Sequence, residues 1–485
     1  MELETAFALI AGVLIVSALA AGLVERAPLS FPMIFLGLGF LLADRGLDLV
    51  SVGAHDDVLD VVATATLALV LFLDAVHLEL DVLRRDWLVP TLALGPGTLL
   101  TIGLVAGAAM LLLDLPLVLA LLAGTILAST DPVLLRDVLR DRRIPRSVRQ
   151  ALSVEASSND IIVLPILLVL IAVSRAEAGG VAGWLAFAGQ LFVLGPAAGF
   201  LVGAAGSWSM ERADRRFQIR REYQSLYGIG LVLASWAAGE AVGGDGFLAA
   251  FAAGVAVTAL NRTLCDCFLE FGQVLAETST LVAFVLFGAL LSGLLGEVDL
   301  LRALALALLV VVVIRPVAVG LVLRLGRAGL SRYALRFIAW FGPRGLNSLL
   351  FALLAVEAGV RGGEALLGVI GVVVIVSVLV HGATATPFAS WYARKVGEQT
   401  LVEERAGSAS ELFTINVDDI PRVSPDELAE RLAGPDPPLV IDVRTRSSYA
   451  RDPVRIPGSI RVLPDEVTEW AADRQRDQAL ALYCT

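Results

Sequence analysis

Long runs of apolar residues along this chain indicate that most of it lies in a lipid bilayer and not in water. Windows of about 17 to 25 residues, long enough to cross a bilayer as a helix, recur roughly thirteen times before Ala393. Of the 485 residues, 57% are apolar and 18% are charged, so a water-soluble core cannot account for the whole chain. The first window, from about Glu4 to Leu23, lacks a basic start and a small-residue cleavage site, which favours a retained span. We therefore expect an all-α polytopic membrane protein with about thirteen transmembrane helices.

Arginines in the predicted loops concentrate on one side of the membrane. Arg84 and Arg85 follow the third span, and arginine clusters at 136–149, 212–221 and 324–336 follow the fifth, seventh and eleventh spans. The intervening loops are acidic or nearly bare. Because basic loops stay in the cytoplasm, we expect a protein of the cell (inner or plasma) membrane with its N-terminus outside and its C-terminus cytoplasmic.

The composition changes after the last span. A polar linker is followed by a short α/β pattern, in which Pro425–Leu432 is predicted to be helical and Leu439–Val443 to be a buried strand. A second strand is predicted at Ala479–Tyr483. The predicted domains are a transmembrane domain (1–397), a linker (398–420) and a small cytoplasmic α/β domain (421–485).

Charged residues inside the sixth and eleventh spans are candidates for function, because burying them in a bilayer is costly. The sixth span reads Glu155-Ala-Ser-Ser-Asn159-Asp160 and continues as an apolar run. Glu155 and Asn159 are four residues apart, and Asp160 points about 100° further round the helix. Arg315 in the eleventh span cannot lose its proton, so it requires a buried anion. We expect Glu155 and Arg315 to form a structural ion pair, which leaves Asp160 free to bind ions and protons.

Two other spans contain helix breakers in apolar sequence. The fifth contains Ser-Thr130-Asp131-Pro and the twelfth contains Gly-Pro-Arg344-Gly. Broken helices at membrane depth are tolerated where they line a cavity, and their ends form ion sites. If spans one to six and eight to thirteen are inverted repeats, the two breaks are equivalent. We expect Thr130 and Asp131 to contact the ion, and Asp131 and Arg344 to compensate the free helix ends of the fifth and twelfth spans, respectively. The alternative for Asp131 is a helix end at the cytoplasmic surface, and the alternative for Arg344 is a snorkelling or helix-end arginine.

Asp74 is a further candidate, in the third span close to its inner end. Ion contact and an interfacial role both fit this position. The three histidines are weaker candidates, since His55 lies in a predicted loop and His77 and His381 fall near the ends of spans.

Together, these residues resemble the cation/proton antiporter superfamily, specifically its sodium/proton exchanger branch, over the first 393 or so positions. In that family the Asn-Asp pair of the sixth span contains the ion-binding aspartate, which matches Asn159 and Asp160 here. The family's preceding glutamate matches Glu155, and the arginine that pairs with it matches Arg315. The broken-helix motifs of the family match Thr130–Pro132 and Gly342–Gly345.

The resemblance implies exchange of a monovalent cation for H⁺ by competition at Asp160, with Na⁺ as the first candidate and Li⁺ possible, and Na⁺ held by Asp160 and Thr130. Because Asn159 is neutral where electrogenic relatives have a second aspartate, the exchange is expected to be electroneutral. The resemblance also implies a homodimer in which a core domain slides past a dimerisation domain. Ala156 stands where relatives often have a hydroxyl ligand, and Asp74 where many have a glutamate, so the choice between Na⁺ and K⁺ stays open.

Two alternatives are a K⁺/H⁺ antiporter of the same fold and an anion permease that supplies a sulfur-transfer module. The permease would require cationic residues at mid-membrane depth in place of Asp160. No cofactor and no nucleic-acid partner is expected; the expected partners are the transported ions, membrane lipids and a second copy of the chain, and the expected role is in sodium and pH homeostasis.

The tail resembles a rhodanese domain. Leu439–Arg444 matches the early strand motif of that family, Arg455–Ile460 its middle motif, and Cys484 falls where the catalytic cysteine would be. Rhodanese chemistry requires a loop after the cysteine whose backbone N–H groups cradle an anion. The sequence stops at Thr485, before such a loop, either because the protein ends there or because the sequence is a fragment. From the sequence as it stands, we expect a partial rhodanese-like domain without sulfurtransferase activity, and we expect the protein as a whole to be a transporter and not an enzyme.

Overall fold

The computed structural model describes residues 3–24, 30–43, 45–77, 88–175, 180–399, 401, 423–435, 437–472 and 479–483. These residues are mostly helical. Seven of the described helices are long and apolar enough to cross a membrane, and five shorter helices are also apolar. The expectation of a multi-pass membrane protein is therefore confirmed, while the count of thirteen spans and the inverted repeats stay predictions.

The helices before residue 220 are α1 (Leu3–Val24), α2 (Phe31–Leu42), α3 (Asp57–Val76), α4 (Leu88–Leu113), α5 (Leu117–Ile126), α6 (Arg136–Arg140), α7 (Arg146–Arg175) and α8 (Gly180–Phe217). Those that follow, up to residue 399, are α9 (Arg221–Ala241), α10 (Gly246–Leu260), α11 (Arg262–Leu294), α12 (Leu300–Leu325), α13 (Arg332–Trp340), α14 (Leu346–Glu357) and α15 (Gly363–Glu398).

Two interruptions fall where helix breakers stand in the sequence. The fifth span stops with α5 at Ile126 and resumes with a 3₁₀ turn at Val133–Leu135 and α6. The twelfth stops with α13 at Trp340 and resumes with α14 at Leu346. Pro132 and Pro343 have no amide hydrogen to continue a helical ladder, so the backbone leaves the helix in both places. We call the two non-helical segments, 127–132 and 341–345, the crossover.

Proline also widens α12 just before its buried arginine. A π-helical turn at Leu309–Ile314 precedes Arg315-Pro316 within the helix. Proline at this point cannot donate a helical hydrogen bond, and the wider turn accommodates the missing bond. The π turn sets the rotation at which Arg315 leaves the helix.

A stripe of glycines brings α8 against α10. Gly195, Gly199 and Gly203 recur every four residues and therefore share one face of α8. A Cβ atom at Gly199 would collide with the backbone of Ala249, and one at Gly203 would lie 2.8 Å from Cα of Ala253. We call this contact the glycine seam; small residues of this kind let membrane helices approach backbone to backbone.

The tail contains a three-stranded parallel sheet with the order β2-β1-β3, in which β1 is Leu439–Asp442, β2 is Ile460–Arg461 and β3 is Leu480–Tyr483. The expected helix Pro425–Leu432 and the two expected strands are confirmed, with strand ends that differ by one residue. Short helices lie at Arg446–Arg451 (α17) and Val467–Ala472 (α18), after α16 at Pro425–Leu432. Cys484 lies outside the described residues, and the rhodanese likeness stays a prediction.

Candidate ion site at the crossing of two broken helices

The two segments of the crossover are joined directly through their backbones. The amide of Asp131 donates a 2.9 Å hydrogen bond to the carbonyl of Pro343. Thr130, Asp131 and Arg344 are all buried at this point. Irregular backbone is therefore enclosed by protein here, as it has to be within a membrane.

Asp131 caps the start of one helical segment from each break. Its Oδ1 accepts from the amide of Val133 at 2.8 Å, and its Oδ2 accepts from the amide of Leu346 at 2.9 Å. Helix N-termini carry a partial positive charge, so a carboxylate at their meeting point is stabilised by both. A Cβ atom at Gly345 would collide with this carboxylate, which explains the small residue before α14.

Arg344 serves the opposite break from the one expected. Its Nη1 donates to the carbonyls of Ala128 at 2.8 Å and Ser129 at 2.7 Å, which belong to the fifth span. Its own backbone amide donates to Ser377 Oγ at 2.7 Å. The expectation that Arg344 compensates the twelfth span is therefore wrong, and Asp131 compensates both spans. The physical reason is the crossing itself, which places each charge against the helix ends of the other segment.

Asp160 lies beside the crossover and is 1% exposed. Ser129 Oγ donates to its Oδ1 at 2.7 Å, and Asn347 Nδ2 donates to its Oδ2 at 2.5 Å. One neutral hydrogen-bond donor from each broken span, Ser129 from the fifth and Asn347 from the twelfth, thus contacts the same carboxylate. Asn347 was missed from the sequence, although it is a polar residue in the first turn after the Gly-Pro-Arg-Gly break. Ser129 stood in the fifth-span motif without a role.

Asn159 braces the fifth span. Its Nδ2 donates to the carbonyl of Ala128 at 2.7 Å and to Thr130 Oγ1 at 3.3 Å, and its Oδ1 accepts from Thr98 Oγ1 at 3.3 Å. All of its described bonds go to neutral groups. Through Asn159, the Thr130 side chain is tied to α7 one residue before Asp160.

Glu155 and Arg315 lie together as a buried ion pair. Arg315 Nη2 donates to Glu155 Oε1 and, at 3.2 Å, to the carbonyl of Phe341. Glu155 Oε2 and Arg315 Nε have no hydrogen-bond partner among the described residues. A Cβ atom at Gly342 would collide with the Arg315 guanidinium, so the first glycine of the Gly-Pro-Arg-Gly break makes room for this pair.

Asp74 is buried in α3 but does not hydrogen-bond to Asp160. It lines a cavity of about 310 Å³ that also touches Pro132 and Val133 beside the crossover. Asp74 Oδ2 has no hydrogen-bond partner in the described parts of the chain. Arg136 and Glu277 also line this cavity, and Arg136 Nη1 donates to Glu277 Oε2 at 3.0 Å. The cavity thus borders both Asp74 and the fifth-span break.

His381 lies near the middle of α15, a helix of 36 residues that is longer than a single membrane span requires. It is buried, with Nδ1 at 3.0 Å from the carbonyl of Ser377 and Nε2 at 3.2 Å from the carbonyl of Trp340. Since Ser377 also receives the Arg344 amide, His381 belongs to the packing behind the twelfth-span break. It makes no described hydrogen bond to Asp160.

Comparison with known proteins gives the family to which this chain belongs. Residues 13–391 match the family model described as "sodium/hydrogen exchanger, transmembrane". The chain belongs to the sodium/hydrogen exchanger family. It is a cation/proton antiporter, hence a transporter and not an enzyme.

Two curated relatives that are similar in sequence to this chain are named K(+)/H(+) antiporters. NhaP2 of Shewanella sp. (strain MR-4) is 28% identical over 397 residues, which cover 81% of this chain and 68% of the relative. NhaP of Alkalimonas amylolytica is 27% identical over 428 residues, which cover 82% of this chain and 69% of the relative.

A solved structure shares the exchanger fold. The sodium proton antiporter MjNhaP1 from Methanocaldococcus jannaschii, determined at pH 8, superimposes with a TM-score of 0.67 and 19% identity. The match covers 81% of this chain and 99% of MjNhaP1. At this identity the likeness concerns the fold alone.

Proposed function

We propose that this antiporter exchanges Na⁺ for H⁺ by competition at Asp160. The observation that supports this is the difference between Asp160 and the two buried acids beside it, Glu155 and Asp131. Glu155 is bonded to Arg315, and Asp131 is bonded to two amides at helix starts. Among the described residues, Asp160 receives hydrogen bonds from a hydroxyl and a side-chain amide, neither of which carries a charge.

A buried carboxylate without a cationic partner is stable only when a mobile cation neutralises it. That cation is either a proton or a metal ion. Binding of one lowers the affinity of the carboxylate for the other. Competition at Asp160 is therefore sufficient to couple the two fluxes. Movement of the loaded site between the two membrane faces completes the exchange.

The crossover supplies oxygen ligands for the metal ion. Thr130 is the ligand expected from the family, and we add Ser129, whose hydroxyl already lies 2.7 Å from Asp160 Oδ1. Ser129 is in place to supply the hydroxyl that Ala156 lacks. Asp131 contributes its charge from the same segment, although both of its oxygens are committed to backbone amides.

The stoichiometry that this site supports is one cation for one proton. Asn159, beside Asp160, is neutral and is engaged with Ala128, Thr130 and Thr98. It offers no second titrating carboxylate. We place Asp74 on the cytoplasmic approach to the site, in a homodimer of the cell membrane whose N-terminus is outside and whose C-terminus is cytoplasmic.

K⁺ is the second candidate for the transported cation. Two curated relatives are named K(+)/H(+) antiporters, and each match covers more than four fifths of this chain. Ala156 also removes one oxygen ligand from the site. K⁺ is larger and loses its hydration shell more easily than Na⁺, so it tolerates an incomplete set of ligands better.

Proteoliposomes carrying an outward or inward pH gradient test the proposal. Addition of Na⁺, Li⁺ or K⁺ should dissipate the gradient, and the relative half-saturation concentrations rank the ions. Asp160→Asn should abolish the response to all three. An imposed membrane potential should leave the rate unchanged if exchange is electroneutral.

Asp48→Asn is the matched control, because Asp48 is an exposed loop residue whose backbone φ of 53° asparagine also accepts. This variant should transport as the native protein does. Transport that survives in Asp160→Asn would disprove the single-carboxylate mechanism. A preference for K⁺ would replace Na⁺ in the proposal without changing the site.

A further inference from the structure

A cavity of about 500 Å³ lies between the tail and the start of α7. The described residues that line it include four arginines, three of which come from the transmembrane domain and one from the tail. One acid, Glu466, is among those lining residues. The arginines are Arg142, Arg146, Arg149 and Arg461.

The walls of this cavity are held by contacts between the two domains. The backbone amide of Arg146 donates to Asp465 Oδ2 at 2.6 Å, and Arg149 Nη2 donates to Glu466 Oε1 at 3.3 Å. Arg446 Nη1 also binds Asp465, at 3.0 Å, so that carboxylate is already shared. The two acids of the 3₁₀ turn Pro464–Glu466 thus contact the transmembrane domain, and among the described lining residues of the cavity four arginines face one acid.

Arg461 has one buried nitrogen, Nη1, without a hydrogen-bond partner in the described chain, although its guanidinium lies over the ring of Tyr449, 3.6 Å from the centroid. The nearest carboxylate oxygen, Asp442 Oδ2, is 3.9 Å away from Nη1. That oxygen already accepts from Arg444 Nη2 at 2.7 Å. Burial lowers the pKa of Arg461; Asp442 offsets part of this shift, while the guanidinium of Arg444 adds to it. A buried donor of this kind is costly unless an anion reaches it.

We propose that this cavity binds a phosphate-bearing anion. Guanidinium groups donate two parallel hydrogen bonds to phosphate oxygens, and several converging on one cavity are typical of phosphate recognition. Leu139, Val462 and Trp470 supply an apolar wall that accommodates the organic part of a phosphate ester. The volume lies within the range of small-molecule sites.

Occupancy of the cavity would fasten the tail to α7. Arg149 lies six residues before Glu155 on that helix, which corresponds to a distance of about 9 Å along its axis. Glu155, Asn159 and Asp160 all follow on the same rigid element. A bound phosphate would therefore link the position of the tail to the helix that carries the ion site.

Binding to the purified full-length protein tests the inference without any transport measurement. Isothermal titration with inorganic phosphate and with AMP, at fixed ionic strength, probes a free phosphate. Thermal stability in bilayers with and without phosphatidylglycerol probes a lipid headgroup. Binding of either source supports the proposal, and the two arms distinguish them; adenosine, which lacks the phosphate, should not bind.

Arg461→Ala should weaken binding about tenfold or more, because it removes charge-assisted hydrogen bonds. Arg142→Ala, at an exposed position of the cavity wall, should act in the same direction and guards against misfolding of the first variant. The matched control is Arg431→Ala, an exposed tail arginine that pairs with Glu427 outside the cavity. The proposal is overturned if no phosphate source binds, or if the cavity variants bind as tightly as the control.

Discussion

The crossover and the glycine seam solve the same packing problem in opposite ways. Around the crossover, two broken helices meet through buried charges, namely Asp131, Glu155, Asp160, Arg315 and Arg344. At the seam, two unbroken stretches of helix meet through glycine and alanine. Burying each charge of this kind costs several kcal/mol. That cost is of the same order as the free energy of unfolding of a whole domain.

Under the proposed function, the buried charges of the crossover serve transport, whereas the small residues of the seam serve the close packing of two helices. A buried ion pair is seldom more stable than apolar residues of similar volume. At the seam, by contrast, no residue other than glycine would preserve the contact, because a larger side chain separates the two helix backbones. Substitutions in the two regions should therefore fail in different ways.

The largest effect should come from Glu155→Leu. It leaves Arg315 buried without its carboxylate, which should lower the free energy of unfolding by about 3 to 5 kcal/mol. Thermal or denaturant unfolding in detergent measures the loss. The double variant Glu155→Leu, Arg315→Met should recover most of the stability but not transport. A single variant as stable as the native protein would show that the pair is not a brace.

Gly199→Leu should be next, with a loss of about 3 kcal/mol, since its side chain would meet the backbone of Ala249. Gly189→Leu on the same helix is the matched control, because no atom lies within 4 Å of a Cβ atom built there. Size-exclusion profiles and thermal unfolding compare the two variants. If both variants had the same elution profile and thermal stability, close packing at the seam would not contribute to stability.

Asp245, in the loop between α9 and α10, gives a smaller effect that depends on pH. Burial raises the pKa of its carboxyl group to about 6; the amide of Leu248 opposes the shift and Glu240 adds to it. Between pH values of about 4 and 6 the folded state holds a proton that the unfolded state has released, so stability falls as the pH rises.

Asp245→Asn retains the side-chain oxygen that caps α10, which accepts from Leu248 at 2.8 Å, but does not titrate. Its stability should therefore exceed that of the native protein by an amount that grows from pH 4 to 6 and levels off above pH 6 at about 2 to 3 kcal/mol. Unfolding curves at several pH values measure this difference. A stability difference between variant and native protein that does not grow from pH 4 to 6 would contradict the assignment.

The smallest effect should come from Ser129→Ala at the crossover. Loss of one hydroxyl beside Asp160 should raise the half-saturation concentration for the cation about tenfold, which corresponds to about 1.4 kcal/mol. The fold should remain intact. Ser157→Ala on α7 is the control, since its hydroxyl is exposed and bonds to Ser153. Unchanged cation affinity in Ser129→Ala would remove Ser129 from the ligand set.

The sequence indicated the two breaks because proline and glycine interrupt apolar runs there. It indicated Asp160 because an acid at the start of an apolar run is costly to bury in a membrane and therefore marks a functional site. It did not indicate which helix end each charge would reach. That choice depends on how segments some two hundred residues apart cross in space, as the bonds from Arg344 to Ala128 and Ser129 show.

Asn347 and the arginine cavity escaped prediction for related reasons. A single amide in an apolar helix carries no spacing pattern, so its contact with Asp160 appears only in three dimensions. The cavity arises from docking of the tail on the 142–149 segment, and each side of that contact looks like an ordinary basic surface when taken separately.

The bonds that Asp131 and Arg344 make across the crossover also have a mechanical meaning. Each of these residues fastens the fifth span to the twelfth, so the half-helices on both sides of both breaks form one rigid block. A cation held at Asp160 would have to travel together with the whole of that block. If the block moves as a unit during exchange, the surface along which it slides would lie where bonds of this kind are missing.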